Sequence, residues 1–269
     1  MASNPDTGVS LRILYAGAGG PKSAFTEKVA DYVASRPDYP AALFEMLKEI
    51  SPPREDTVVA DVGAGTGLLT RDLLKTGYRV VAVEPNQAMR QAADSMLGNT
   101  PGYRSVDGCA ESMPLAPASV QLITAAQAFH WFEVDRAREE FLRVLTENGV
   151  VVLIWNDRVP GDPLHAALDE VFDEFGGAKR AALVVHEGRA DVPRFFGATR
   201  PRELSWPHAH CLDENGLQSL VFSRSYIPGR ETRAGREVAK RVDKIFSRFA
   251  DNDRVEVRYR TVAILGRPA

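Results

Sequence analysis

Cysteine is scarce in this 269-residue chain, Cys109 and Cys211 being the only two. A pair cannot build the disulfide framework of a small secreted scaffold, so a reducing compartment, the cytoplasm, is the expectation. No apolar run reaches the roughly 18 residues needed to cross a bilayer, and the N-terminus carries no charged-then-apolar signal pattern. The expectation is a soluble, intracellular protein with no membrane partner. Surplus positive charge is lacking as well. Lys and Arg number 33 against 36 Asp and Glu, a formal net charge of −3, which gives no general attraction to a phosphate backbone. Extended nucleic acid is therefore a poor default partner. Internal repeats, low-complexity tracts and a separate second core are not legible either.

What is present is enough apolar material, 44% of residues beside 26% charged, to bury one sizeable core with additions. The most informative stretch runs from Val58 to Leu68. The apolar run Val58–Val62 reads as a buried strand, contains Asp61, and leads through Gly63-Ala64-Gly65-Thr66-Gly67 into the helical pattern Leu68, Leu69, Leu73, Leu74, which stops at Gly77. A dinucleotide corner requires Gly-x-Gly-x-x-Gly/Ala so that helix and strand close around a pyrophosphate. Here the third position is Leu68. The Gly-x-Gly-x-Gly spacing instead brings backbone close to the amino-acid and ribose parts of a nucleoside ligand. A nicotinamide-dependent oxidoreductase stays open as an alternative that Leu68 disfavours. Seventeen residues beyond Gly67, the run Arg79–Val83 ends at Glu84, near the spacing at which an acid receives ribose hydroxyls.

Two further segments follow in order. Asp107-Gly108-Cys109-Ala110-Glu111-Ser112-Met113-Pro114 precedes the apolar run Val120–Ala126, and Gln127-Ala128-Phe129-His130-Trp131-Phe132 comes directly after it. With these four ordered segments the chain resembles the class I S-adenosylmethionine-dependent methyltransferases, in particular a small-molecule branch with Gly-x-Ala-Glu-x-x-Pro and His-Trp-Phe segments. The resemblance spans about residues 25–267. It implies S-adenosyl-L-methionine as cofactor and S-adenosyl-L-homocysteine as product. It places Asp61, Gly63, Ala64, Gly65 and Gly67 around the methionine part and ribose, and Glu84 on both ribose hydroxyls. Pro85 and Asn86 would lie beside the adenine. Cys109, Ala110 and Glu111 match the segment over the adenine edge, although many relatives carry Asp at the Cys109 position. Ala126 and Gln127 match positions near the sulfonium and the methionine carboxylate. The segment from Val29 to Pro40 resembles the cap before the first helix, in which Tyr32 and Arg36 approach the methionine end; a packing aromatic and a surface charge are the equal alternative.

Alternating helix and strand patterns continue through a helix at Arg136–Leu145 and a strand at Asn148–Asn156, which argues for a parallel sheet covered on both faces. The expected fold is α/β and Rossmann-like. By resemblance it holds a central, mostly parallel seven-stranded sheet, an N-terminal arm and cap in residues 1–51, and a methyltransferase domain in 52–269. Between about 157 and 199 the alternation breaks into a helical stretch, Leu164–Phe175, then Gly176-Gly177 and an irregular region, expected to be an inserted lid. The tail reads as a strand at Arg202–His208, helices at Glu214–Ser223 and Arg233–Phe249, and a strand at Val255–Ile264. Near the N-terminus, Leu11–Tyr15 followed by Gly17 to Ser23 imitates a phosphate loop, but Pro21 removes a backbone N–H where donors are needed.

Methyl transfer calls for attack by a substrate nucleophile, aided by a base when the nucleophile is a hydroxyl. His130 is the candidate base because an ordinary His titrates near pH 6.5 and this one follows the fourth strand; a structural His capping that loop has equal claim. Phe129, Trp131 and Phe132 could wall a flat substrate, or simply belong to the core. His208, His210 and Cys211 lack the paired spacing of a closed metal site, and none is expected. The basic series Arg224, Arg230, Arg233, Arg236, Lys240 and Arg241 is interspersed with acids and reads as a solvated face. No Asn-Pro-Pro-Tyr or Asp-Pro-Pro-Tyr follows the fourth strand, as the resemblance would require of many nucleic-acid amine methylases. The expected function is transfer of a methyl group to an O or N nucleophile of a small-molecule acceptor, a secondary metabolite or organic acid. A non-catalytic cofactor-binding protein is the other alternative, and a homo-oligomer has no support in the sequence.

Overall fold

The computed structural model describes residues 28–187 and 189–269, the side chains of 185–187 excepted. The imitation phosphate loop falls outside what is described. Among the described residues two helices come first, α1 (Val29–Ser35) and α2 (Ala41–Ile50). The alternation then runs β1 (Val58–Val62), α3 (Leu68–Lys75), β2 (Arg79–Val83), α4 (Gln87–Leu97), β3 (Tyr103–Val106) and β4 (Val120–Ala126). After a 3₁₀ turn at Phe129–Trp131 come α5 (Val134–Val144), β5 (Leu145–Arg158), α6 (Pro163–Glu187), α7 (Val192–Phe196), β6 (Arg202–Leu212), α8 (Glu214–Phe222), α9 (Arg233–Phe249) and β7 (Val255–Gly266).

The seven strands form one sheet in the order β3-β2-β1-β4-β5-β7-β6. Pairing is parallel from β3 to β5, with Ala60 beside Val81 and Ile123, and β7 runs antiparallel to both β5 and β6. Strands β1, β2 and β4 are almost wholly apolar because helices cover both faces. On one face α5 and α7 set Phe141, Val144, Phe195 and Phe196 against Ala60, Val62, Ile123 and Val151. On the other, α2 and α3 set Leu43, Leu47, Leu69 and Leu73 against Val59, Val80, Leu122 and Val152. The chain steps outward from β1 to β2 and β3, then returns to β4 on the other side of β1. Ligands of open α/β sheets gather at the strand C-termini beside such a reversal.

The fold class is the one expected, but β3 is a strand the sequence did not mark, β5 begins at Leu145 rather than Asn148, and the second half of the chain differs further. A third hydrophobic cluster joins α6 to α8 and α9 over the ends of β6 and β7, through Leu168, Phe172, Leu217, Val221, Val242 and Tyr259. That cluster draws on residues well beyond the 157–199 expected for a lid. The helix that the sequence ends at Phe175 resumes after a break at Gly177, whose φ of 53° and ψ of −146° suit glycine alone. The edge strand β6 continues to Leu212 instead of stopping at His208; it carries Pro207, which an edge tolerates because one side of the strand needs no ladder hydrogen bond.

Candidate active site

The turn after β1 is held by backbone and by one carboxylate. Gly63, Gly65 and Gly67 all adopt positive φ, at 72°, 57° and 82°. The N–H groups of Gly63 and Ala64 donate to the Val83 carbonyl at the end of β2, at 2.8 and 3.2 Å. A Cβ on Gly63 would lie 2.5 Å from the Ala128 Cβ, so only glycine lets this turn pass under the loop after β4. Gly67 serves helix packing, since a Cβ there would lie 2.8 Å from Leu97 of α4.

Glu84 closes the corner. Its Oε2 accepts from the Gly65 N–H at 2.9 Å and its Oε1 accepts from the Asn86 N–H at 2.8 Å. Only 8% exposed, its carboxyl is pushed up by burial, with the Asn86 and Gly65 donors opposing. Asp61, 1% exposed, is turned inward: Thr70 and Thr124 donate their hydroxyls to its two oxygens at 2.6 and 2.9 Å. Burial raises its carboxyl to about 6 despite those donors. Asp61 therefore ties β1 to α3 and β4, a bracing role the motif alone does not reveal.

Two adjoining cavities open at these strand ends. The smaller, about 280 Å³, is lined by Gly65, Glu84, Pro85, Cys109, Ala110 and Glu111 among others. The larger, about 430 Å³, is lined by Arg36, Asp61, Ala64, His130, Trp155 and Tyr259 among others. Tyr32, Gly63, Ala126, Gln127 and Trp131 border both. Apart from Gly67 and Phe129, which border neither, every site residue read from the sequence lines one or both cavities.

Local structure explains several of these placements. Gln127 takes a φ of 54°, rare for a residue with a side chain, directly after β4. Its N–H is held by the Ile154 carbonyl at 2.9 Å. Cys109 forms an isolated bridge with Ser112, its thiol pushed up by burial and by Glu111. Glu111 in turn accepts from the Glu133 N–H at 2.7 Å, at the head of α5. The His130 ring packs tilted on Trp131 with centroids 5.1 Å apart, while Phe129 and Phe132 are buried in the core. Asn156 brings the cap to the sheet: it donates to the Asp38 carbonyl at 3.1 Å and accepts from the Thr261 hydroxyl at 2.6 Å. Among the described residues no cluster of three or more His, Cys, Asp or Glu is placed to hold a metal, and no helix is long and apolar enough to cross a membrane.

The comparisons decide what this arrangement belongs to. Residues 60–153 match a family described as a methyltransferase domain. An uncharacterized methyltransferase of Mycobacterium bovis is 30% identical over 244 residues, 90% of this chain and 94% of its own length. A methyltransferase-like protein of Schizosaccharomyces pombe is 28% identical over 243 residues, covering 89% and 93%. The chain belongs to the class I S-adenosylmethionine-dependent methyltransferases. A solved structure from Anaeromyxobacter dehalogenans, provisionally assigned as a type II methyltransferase, shares the fold with a TM-score of 0.62 at 24% identity, over 86% of this chain and 97% of that one. This membership sets aside the nicotinamide-dependent alternative.

The methyltransferase's larger cavity also holds residues the sequence did not single out. Arg158, Arg180, Arg189, Arg224, Tyr226 and Tyr259 line it from β5, α6, the loop after α6, the end of α8 and β7. Of these the sequence marks only Arg224, in a basic series that reads as a solvated face. No local spacing connects these residues; the packing of α6, α8 and α9 over β7 brings them together.

Proposed function

We propose that this methyltransferase moves a methyl group to an oxygen or nitrogen nucleophile of a small-molecule acceptor, a secondary metabolite or organic acid, by in-line displacement. The observation that carries the reading is the Glu84 carboxylate. It is fixed by two backbone N–H groups, keeps lone pairs to spare, and borders one cavity that adjoins a second, larger one. A buried carboxylate so oriented fits a ribose diol, and the apolar Pro85, Ala110 and Met89 beside it fit a purine. Glu84 would hold the ribose. Cys109, Ala110 and Glu111 would hold the adenine edge, and Tyr32, Arg36, Ala126 and Gln127 the methionine end.

Bound there, S-adenosylmethionine supplies an electrophilic methyl on a sulfonium whose departure leaves the neutral thioether of S-adenosylhomocysteine. The chain's own work is positioning. Holding an acceptor in line replaces a two-body encounter by a nearly unimolecular one, worth up to about 7–11 kcal/mol at best. His130, on the rim of the larger cavity, would take the proton from a hydroxyl acceptor, whereas a carboxylate or amine attacks without it. Trp131 stands at the boundary the two cavities share.

The test is an acceptor screen of purified protein against small organic acids, phenols and amines, reading released S-adenosylhomocysteine and the gain of one CH₂ in the product by mass spectrometry. Turnover with any of these supports the reading. Tight cofactor binding with no turnover across the panel contradicts it.

A further inference from the structure

Five guanidinium groups line the larger cavity: Arg36, Arg158, Arg180, Arg189 and Arg224, drawn from α1, β5, α6, the loop after it and the end of α8. Three have carboxylate partners. Arg158 and Arg180 share Asp169, Arg180 also reaches Asp173 at 3.2 Å, and Arg189 pairs with Asp157. Arg36 and Arg224 meet no carboxylate among the described residues. The Nε of each is buried without a hydrogen-bond partner, and Arg36 reaches only the Ser223 carbonyl at 3.5 Å.

Their surroundings orient rather than neutralise them. Arg36 stacks over Tyr32 at 4.5 Å, and the Arg158, Arg180 and Arg224 guanidiniums all lie between 5.4 and 5.9 Å from the Phe172 ring centre. Lys28 holds the Arg224 backbone in place by donating to the carbonyls of Phe222, Arg224 and Ile227 at 2.7–3.0 Å. Tyr259, buried in the same cavity wall as Arg36, Arg158 and Arg224, has its hydroxyl pushed up by burial, with the three guanidiniums opposing. Positive charges gathered out of water without counter-charges are costly unless an anion completes them. Planar guanidinium forks match carboxylate or phosphate oxygens.

One anion is already accounted for, because the methionine carboxylate of the cofactor would take Arg36 under the proposed function, on which this inference rests. That leaves Arg224, with Arg158 beside it. We infer that the methyl acceptor is a small organic oxyanion, carrying a carboxylate or a phosphate that Arg224 and Arg158 hold against Tyr259 while another part of the molecule faces the methyl donor. The acceptor class is thereby narrowed from O or N nucleophiles in general to anionic ones.

Calorimetry on the protein saturated with S-adenosylhomocysteine tests this, using malonate and inorganic phosphate as probes and malonamide as the uncharged match for malonate. The expected result is saturable binding of malonate or phosphate and none of malonamide; whichever anion binds more tightly identifies the oxyacid. In Arg224→Met the anion affinity should drop roughly ten- to a hundredfold, the range of a lost charge-assisted fork, with the S-adenosylhomocysteine affinity kept within about threefold. Arg224→Lys, which retains charge and bulk but loses the fork, should fold as the wild type does and bind the anion several-fold more weakly. Equal binding of malonamide, no anion binding, or unchanged anion affinity in both variants overturns the inference. So does loss of S-adenosylhomocysteine affinity in Arg224→Met, which would assign Arg224 to the cofactor. If the wild-type protein fails to bind S-adenosylhomocysteine, the functional reading falls and this one with it; cofactor binding without anion binding removes this inference alone.

Discussion

The Glu84 carboxylate accepts from the Gly65 N–H at 2.9 Å across 19 residues of sequence, joining the end of β2 to the turn after β1. One side chain thereby sets the geometry of the glycine corner and presents its remaining lone pairs to the adjoining cavity. Glu84→Gln replaces one accepting oxygen by an NH₂ group, which must face either the Asn86 N–H or the Gly65 N–H, donor against donor. Affinity for S-adenosylhomocysteine, measured calorimetrically, should fall by about ten- to a hundredfold, the worth of one or two charge-assisted hydrogen bonds. Unchanged affinity would mean that the carboxylate only braces the loop.

Asp61 predicts a pH dependence. Its folded pKa, raised to about 6 by burial, lies above the roughly 3.9 of an unfolded aspartate. The fold therefore favours the protonated form. The stability from this group is fully present below about pH 4 and lost as pH rises through about 6, up to about 3 kcal/mol in all. Asp61→Asn carries no such titration. In urea denaturation its stability relative to wild type should rise between about pH 4 and pH 7. Parallel stability curves for the two proteins would refute the shift.

Legibility followed locality. The corner from Asp61 to Gly67 could be read because strand, turn and helix start lie within a dozen residues and each glycine answers a positive φ. Glu84 was legible because it ends a short apolar strand, and the Cys109–Glu111 segment because it forms an ordered motif ahead of the apolar run Val120–Ala126. The third strand, Tyr103-Arg104-Ser105-Val106, sits at the sheet edge with no fully buried residue, so it lacks the apolar run that marked β1, β2 and β4. The arginines were hidden for a different reason. Arg158 and Arg224 stand among acidic or polar neighbours in sequence, which is how a solvated face looks, and Arg180 follows Lys179 in a small-residue stretch with nothing to mark it as facing a cavity. The kink at Gly177 and the packing of α6 on α8 and α9 turn them inward, and no periodicity encodes that. Asp61 was identified as a site residue, but its two threonine donors come from α3 and β4, beyond what a motif displays.

Gln127 holds a left-handed backbone at φ 54° and borders both cavities. Such a conformation costs on the order of 1–3 kcal/mol in a residue with a side chain. Gln127→Gly should leave thermal stability unchanged or improve it while weakening cofactor binding. Gln127→Val should destabilise by about 1–3 kcal/mol, because a β-branched residue tolerates positive φ least. If the glycine variant melts lower and binds as before, the conformation is not strained and the side chain not used.

His130 lines the larger cavity, and the proposed function assigns it as the base for a hydroxyl acceptor. His130→Ala should keep S-adenosylhomocysteine affinity and lower turnover at least about a hundredfold, with the loss confined to acceptors that must give up a proton. Full turnover with such an acceptor would make His130 a structural partner of Trp131.

The central claim is that the two cavities serve an adenosyl cofactor and its methyl acceptor. A calorimetric titration of the purified protein with S-adenosylmethionine and S-adenosylhomocysteine, with NADH as control, addresses it most directly. Saturable one-to-one binding of both adenosyl ligands, weakened in Glu84→Gln, and no binding of NADH is the predicted result. Absence of adenosyl binding, or binding indifferent to Glu84, would contradict the assignment of the site.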